Sequence, residues 1–291
     1  MRPRVHTWDA NGLAQNVLEW PGEGAEEPTR ANAQGATVVV VHGFQDCAAT
    51  WEDVTRPLAA AGFRVLAPDM RGFGDTGRAP AGSYYYFPDY VADLAALVRG
   101  HVNGSPLFLV GHSMGATVVT YFAGAFPERV TKLAIVDGVG PPDNAPNVAP
   151  IRTRRWIESA YEADHERKPM TREEAIQRLS RFNPRVDQAV LAQKVDQLSR
   201  PAEGGLVWKG DPLHSTMSPI PFYAASYKAF AERVTCPVLY VSGGPSGYHV
   251  PDEDERLACF PHLSRVTIDG GHSLHWTRPT ELAQALAAFW G

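Results

Sequence analysis

Five short apolar runs constrain this chain more than anything else in it: TVVVVHG (37–43), FRVLAPDM (63–70), PLFLVGH (106–112), KLAIVDG (132–138) and PVLYVSG (237–243). They are rich in branched aliphatic residues and lack a polar alternation, the pattern of strands buried on both faces. The segments between the first four read as helices. TWEDVTRPLAAAG (50–62) places Thr50 and Asp53 in a capping-box-like spacing and ends on Gly62; FPDYVADLAALVRGHV (87–102) and MGATVVTYFAGAF (114–126) follow. An early hairpin and a polar surface loop (21–35) precede the first run. DEDERLACF as a helix, SRVTIDG (264–270) as a strand and a last helix, PTELAQALAAFW, complete the pattern, with Leu282, Leu286 and Phe289 on one helical face. Alternating strands and helices predict an α/β fold: a mostly parallel eight-stranded sheet covered by helices on both faces.

The alternation breaks at GPPDNAP (140–146). Residues from about 147 to 220 read as helical and polar without strong strands: IRTRRWIESAYEADHE, TREEAIQRLSRF with a Thr171/Glu174 capping box, and DQAVLAQKVDQLS. The expected organisation is a core from 1–140 and 221–291 with an inserted helical cap at 141–220.

With 291 residues, 44% hydrophobic and 20% charged, the chain can bury one large core plus an insertion. A net charge of −5 with scattered basic residues gives no field suited to nucleic acid or an anionic membrane; the densest group, RTRR at 152–155, is short. No apolar stretch has the length of a signal peptide or a membrane span. Three cysteines (Cys47, Cys236, Cys259) without metal spacing fit a reducing compartment, so a cytoplasmic protein is expected, with oligomeric state left open. Cys47 reads as a packing residue, and Asn103-Gly104-Ser105 as a turn.

Gly72-Phe73-Gly74-Asp75-Thr76-Gly77 is a literal G-x-G-x-x-G after a strand. Dinucleotide binding needs a helix to begin there, and RAPAGS follows instead, so these glycines are expected to shape a loop. No cofactor and no metal are expected.

GHSMG (111–115) joins a buried strand directly to a small-residue helix. G-x-S-x-G in that context is a nucleophile elbow: the strained turn lifts the Ser113 hydroxyl above the sheet edge and needs small neighbours. The first free N–H of the helix, that of Met114, would face negative charge developing on a substrate oxygen.

With that elbow in place, the chain resembles the α/β-hydrolase superfamily over nearly its full length. HGFQDCAATWEDV resembles the family's oxyanion loop and APDMRGFGDTGR the segment after the fourth strand. AFPERVTKLAIVDG resembles the stretch through the sixth strand, and GGHSLHWTRPTELAQALAAFW the C-terminal histidine segment. The resemblance implies a second oxyanion donor in the backbone N–H of Phe44, and a base in His272, carried past the last strand by Gly270-Gly271. His275 is the nearest rival, without preceding glycines. His112, beside Ser113, is expected to pack beneath the turn.

Most of the family takes its acid from the loop after the seventh strand. Here that loop reads Gly243-Gly244-Pro245-Ser246, and a serine cannot supply the charge. Three readings stay open: Asp252 or Asp254 reaching back, a site without an acid, or Asp137 at the end of the sixth strand. The last is a layout resembling the haloalkane-dehalogenase branch and some serine-hydrolase-like members, and Asp137 is preferred. The resemblance to dehalogenases and epoxide hydrolases does not extend to chemistry, because those enzymes use an aspartate nucleophile where this chain has Ser113.

A carboxylic-ester hydrolase acting on a small or medium-sized molecule follows as the leading expectation. A C–C bond hydrolase, an acyltransferase and a non-catalytic small-molecule binder are the alternatives. Trp156, Tyr161, Trp208, Met217, Phe222 and Tyr223 are candidate pocket walls. VWKGDP (207–212) resembles a cap segment of some capped members of the family.

Overall fold

β1 (Arg4–Ala10) and β2 (Leu13–Trp20) form an antiparallel hairpin turned by Asn11 and Gly12, whose φ values of 55° and 79° match the twist of the strands. In the computed structural model, residues 2–22, 35–162 and 168–291 are described, the side chains of Tyr161 and Glu162 apart. Most of the expected 21–35 loop therefore lies outside the described residues.

β3 (Thr37–Val41), α1 (Glu52–Ala60), β4 (Arg64–Pro68), α2 (Phe87–His101), β5 (Leu107–His112), α3 (Met114–Ala125) and β6 (Lys132–Val136) then alternate as the apolar runs predict. After the insertion come α7 (Ala224–Ala231), β9 (Val238–Ser242), α8 (Glu253–Leu257), β10 (Leu263–Thr267), α9 (Leu274–Thr277) and α10 (Pro279–Trp290). The eight-stranded sheet runs β1-β2-β4-β3-β5-β6-β9-β10, antiparallel from β1 to β4 and parallel from β4 to β10.

Successive strand residues feed opposite layers. Val39, Val41, Leu109 and Ile135 pack with α2, α3 and α7, whereas Val38, Val40, Val110 and Val136 pack with α1 and α10. Leu282 and Leu286 are fully buried in the second layer, with Phe289 packed at its edge.

One expected detail of α1 is overturned. The helix starts at Glu52 after a 3-10 turn, and Thr50 does not cap it: its hydroxyl donates to Asp46 Oδ1 (2.6 Å) and to the Cys47 carbonyl (3.0 Å). Asp53 instead pairs with the fully buried Lys194 (3.2 Å), so a tertiary contact outbids the local cap. Gly62 does follow the helix, at φ 94°.

The insertion between β6 and α7 carries α4 (Ala149–Glu162), α5 (Arg172–Phe182) and α6 (Gln188–Leu198). The Thr171/Glu174 box is formed, with reciprocal bonds of 3.1 and 2.9 Å. The segment is not free of strands, however: β7 (Ser199–Ala202) and β8 (Gly205–Trp208) make a short hairpin, turned by Glu203 and Gly204, the glycine at φ 83°. Four-residue strands carry too little alternation to be read from sequence.

The VWKGDP segment ties the insertion to the core. Lys209 pairs with Asp75 (2.7 Å), the Asp211 N–H donates to the Gly72 carbonyl (2.8 Å), and Tyr85 Oη donates to Asp211 Oδ2 (2.7 Å). Where the chain leaves β6, the buried Arg256 donates to the Val139 and Pro141 carbonyls (2.9 and 2.7 Å) while pairing with Asp252. Among the described residues, no helix is long and apolar enough to cross a membrane.

Candidate active site

Ser113 stands between β5 and α3 at φ 51°, ψ −113°, a strained conformation for a residue with a side chain. The flanking glycines are required by close approach. A Cβ on Gly111 would lie 2.3 Å from the Gly115 carbonyl oxygen, and one on Gly115 would lie 2.2 Å from that of Val41. Compression of β3, β5 and α3 against one another holds the turn, and the Ser113 N–H is tied to the Val136 carbonyl (3.1 Å).

His272 lies in the loop between β10 and α9, with Nε2 3.1 Å from Ser113 Oγ. Its Nδ1 lies 2.8 Å from Asp137 Oδ2. Asp137 is fully buried at φ 45°, just past the end of β6. Its carboxylate also accepts the Gly243 N–H at Oδ1 (2.6 Å) and the Tyr248 N–H at Oδ2 (2.8 Å). A carboxylate only accepts, so His272 carries its proton on Nδ1, and Nε2 is left to accept from the serine hydroxyl. The loop after β9, where an acid is usual in the family, thus supplies backbone donors to an acid arriving from β6.

Asp252 and Asp254 do not enter the site. Asp252 is engaged by Arg256 (2.7 Å), and Asp254, 89% exposed, pairs with Arg265 (2.6 Å). His275 is turned away as well: it is buried, stacked on Trp51 with centroids 4.4 Å apart, and its Nε2 is 3.1 Å from Asp46 Oδ2.

His112 packs beneath the elbow, where its Nε2 donates to the His272 carbonyl (2.8 Å). Burial, reinforced by the neighbouring His275 and His272, holds His112 well below the ordinary imidazole value. Burial likewise lowers His275, outweighing the bond to Asp46. Burial alone would raise Asp46, but the hydrogen bond and charge of His275, the charge of His42 and the Thr50 hydroxyl overcome it and keep the carboxyl below the usual range. Asp46 Oδ2 thus accepts from the His275 Nε2–H. Among the described residues, Asp46, His112 and His275 are the one such group whose possible metal-ligating atoms gather within 4.8 Å. His275 and His112 each already spend a nitrogen on a protein partner, so the cluster reads as a floor under the elbow.

The loop after β3 is set by His42, fully buried, whose Nε2 accepts the Met70 N–H (2.9 Å) and whose Nδ1 donates to the Gly43 carbonyl (2.7 Å). Gly43 lies against Ser113: a Cβ there would be 3.3 Å from that of the serine. Among the described residues, neither the Phe44 nor the Met114 N–H donates to a protein acceptor.

A cavity of about 710 Å³ opens above these groups, walled largely by aromatic side chains including Phe44, Tyr84, Tyr121 and Phe222. Tyr223 also lines it. Trp156 does not; it packs edge-on against Tyr84, which does (5.6 Å). Trp208 lines a separate smaller cavity of about 220 Å³, Met217 lines neither, and the Tyr161 side chain lies outside the described residues. Cys47 is buried beside Leu198 and Trp276, its thiol pushed up by burial. Gly74 wraps its loop around the buried Asp69 carboxylate, and the next helix begins only at Phe87, so the G-x-G-x-x-G opens no helix.

Sequence reasoning missed Tyr248, whose N–H grips Asp137 and whose ring lies 5.4 Å from that of His272. It also missed the Asp46–His275 pair; both depend on contacts that no local pattern encodes.

Residues 36–279 match a family model described as the alpha/beta hydrolase fold. A serine hydrolase-like protein of Danio rerio is 29% identical over 269 residues, covering 88% of this chain and 82% of that protein. A probable serine hydrolase of Drosophila melanogaster is 25% identical, covering 97% and 92%. Among solved structures, the thioesterase domain from the curacin biosynthetic pathway superposes with a TM-score of 0.86 at 23% identity, covering 99% of this chain and all of that one. At that identity the likeness is one of fold.

Proposed function

The chain belongs to the alpha/beta hydrolase family, and from that premise we propose that it is a serine hydrolase cleaving a small or medium-sized carboxylic ester through an acyl-enzyme. The observation that carries the proposal is the unbroken relay from Ser113 Oγ to His272 Nε2 and from His272 Nδ1 to Asp137, at 3.1 and 2.8 Å, with Ser113 lining an aromatic cavity.

Ser113 Oγ attacks the ester carbon as His272 Nε2 takes its proton. The carbonyl π electrons move to oxygen, and the Phe44 and Met114 N–H groups hold the resulting oxyanion. The tetrahedral adduct collapses, its C–O bond breaks, and His272 returns the proton to the leaving alkoxide, releasing the alcohol. Water, deprotonated by His272, then attacks the acyl-enzyme, and the acid departs as Ser113 regains its proton. Asp137 stabilises the imidazolium formed in each half. The insertion acts as a cap that bounds the cavity and favours small substrates over polymers.

The binder alternative drew its force from the missing acid after β9; the Asp137–His272 contact at 2.8 Å supports the hydrolase reading over it. Burst kinetics with 4-nitrophenyl esters of graded acyl length test the proposal. About one equivalent of nitrophenol per enzyme should precede the steady state, and Ser113→Ala should abolish both phases. Turnover retained in Ser113→Ala would exclude this mechanism.

A further inference from the structure

Among the described residues, about two dozen line the cavity above Ser113, none of them an aspartate or glutamate. Histidine aside, Arg152 is the only ionisable cation among the described residues that line it. Arg152 sits on α4, so its charge comes from the cap side, facing a space otherwise built of aromatic rings and small polar groups.

The guanidinium is held but not neutralised. One Nη2 hydrogen goes to the Ser218 carbonyl at 3.2 Å. Its Nε is shielded from solvent and has no acceptor among the described residues. No carboxylate of the described residues lies within ion-pair distance, whereas Arg154, two residues on, is paired with Glu158 at 2.7 Å. A shielded cationic donor without an acceptor is costly to keep, and here it lines the wall of a ligand-sized cavity.

We propose that Arg152 is a subsite for a carboxylate, so that the preferred ester carries a free carboxylate on the part facing the cap. The assignment rests on the ester-hydrolase reading. A fork of N–H donors anchored on one side by Ser218 suits the paired oxygens of a carboxylate. A single positive charge in an aromatic wall balances a monoanion; a phosphate dianion would leave net charge buried.

The test compares two esters of equal chain length, 4-nitrophenyl hexanoate and mono-4-nitrophenyl adipate, by the ratio of their kcat/KM values. The wild-type ratio should favour the adipate ester, and Arg152→Gln should lower it by about tenfold or more, the size of one charge-assisted hydrogen bond. Arg152→Lys should restore part of it. An equal ratio in wild type and Arg152→Gln overturns the subsite. Calorimetric binding of mono-4-nitrophenyl adipate to Ser113→Ala, with and without Arg152→Gln, separates the two claims. If wild type turns over neither ester, the hydrolase reading fails. Loss of adipate-ester binding on replacing Arg152 then still upholds the subsite, and unchanged binding overturns it.

Discussion

Gly247 leaves room for Asp137: a methyl group added to that glycine would stand 2.4 Å from the Asp137 Oδ1 atom. The glycine-rich loop after β9 is thus shaped around a carboxylate delivered from the neighbouring strand. Gly247→Ala should displace Asp137 and lower both kcat and Tm. Gly100→Ala, at an exposed helical position with nothing within 4 Å, should instead stabilise the protein by about 0.5–1 kcal/mol. Equal effects of the two substitutions in thermal unfolding and ester turnover would contradict this packing.

Asp137→Asn should keep the fold and lower kcat by about ten-thousand-fold, because an amide cannot enforce the Nδ1–H tautomer of His272 or stabilise its cation. Asp254→Asn, which alters only an exposed pair with Arg265, should leave kcat within about threefold. Steady-state kinetics of the two variants would separate the candidate acids.

Ser113, His272 and Asp137 were nameable from sequence for different reasons. The elbow and the Gly-Gly-His segment are local patterns, since the backbone geometry itself demands glycine there. Asp137 could be proposed only by noticing that GGPSG holds no acid and by its likeness to a known layout; the two backbone donors that hold it are tertiary. The Thr50 cap failed because Asp46 and Lys194 compete for the same groups. The β7–β8 hairpin was too short to leave a periodic trace. Arg152 read only as one of the short basic group at 152–155, and the path of α4 over the cavity distinguishes it from Arg154.

His112 and His275 give the protein an acid limit. Both are held below the unfolded value of about 6.5 by burial, so below that pH the unfolded chain binds protons that the folded chain refuses. Their contribution is complete above pH about 6.5 and is lost progressively as pH falls toward the folded values. The groups facing His275 are Asp46, His112, His272 and Lys194. Urea midpoints at pH 7.5 and 5.0 should differ more in wild type than in His275→Gln; an equal pH dependence would mean that His275 titrates normally in the fold.

Arg256→Met should destabilise the protein by about 3 kcal/mol, near the low end for a broken buried pair because Asp252 keeps 23% of its side chain in water. The Val139 and Pro141 carbonyls would lose their donor just where the chain leaves the sheet for the insertion. Denaturant titration measures the loss.

Ser113 is proposed as an activated nucleophile under an oxyanion hole. Reaction with a fluorophosphonate, followed by peptide mass mapping, tests it without knowledge of the substrate. One adduct per chain is expected, on Ser113, absent in Ser113→Ala and formed far more slowly in Asp137→Asn. An unlabelled wild-type protein, or an adduct on another residue, would contradict it.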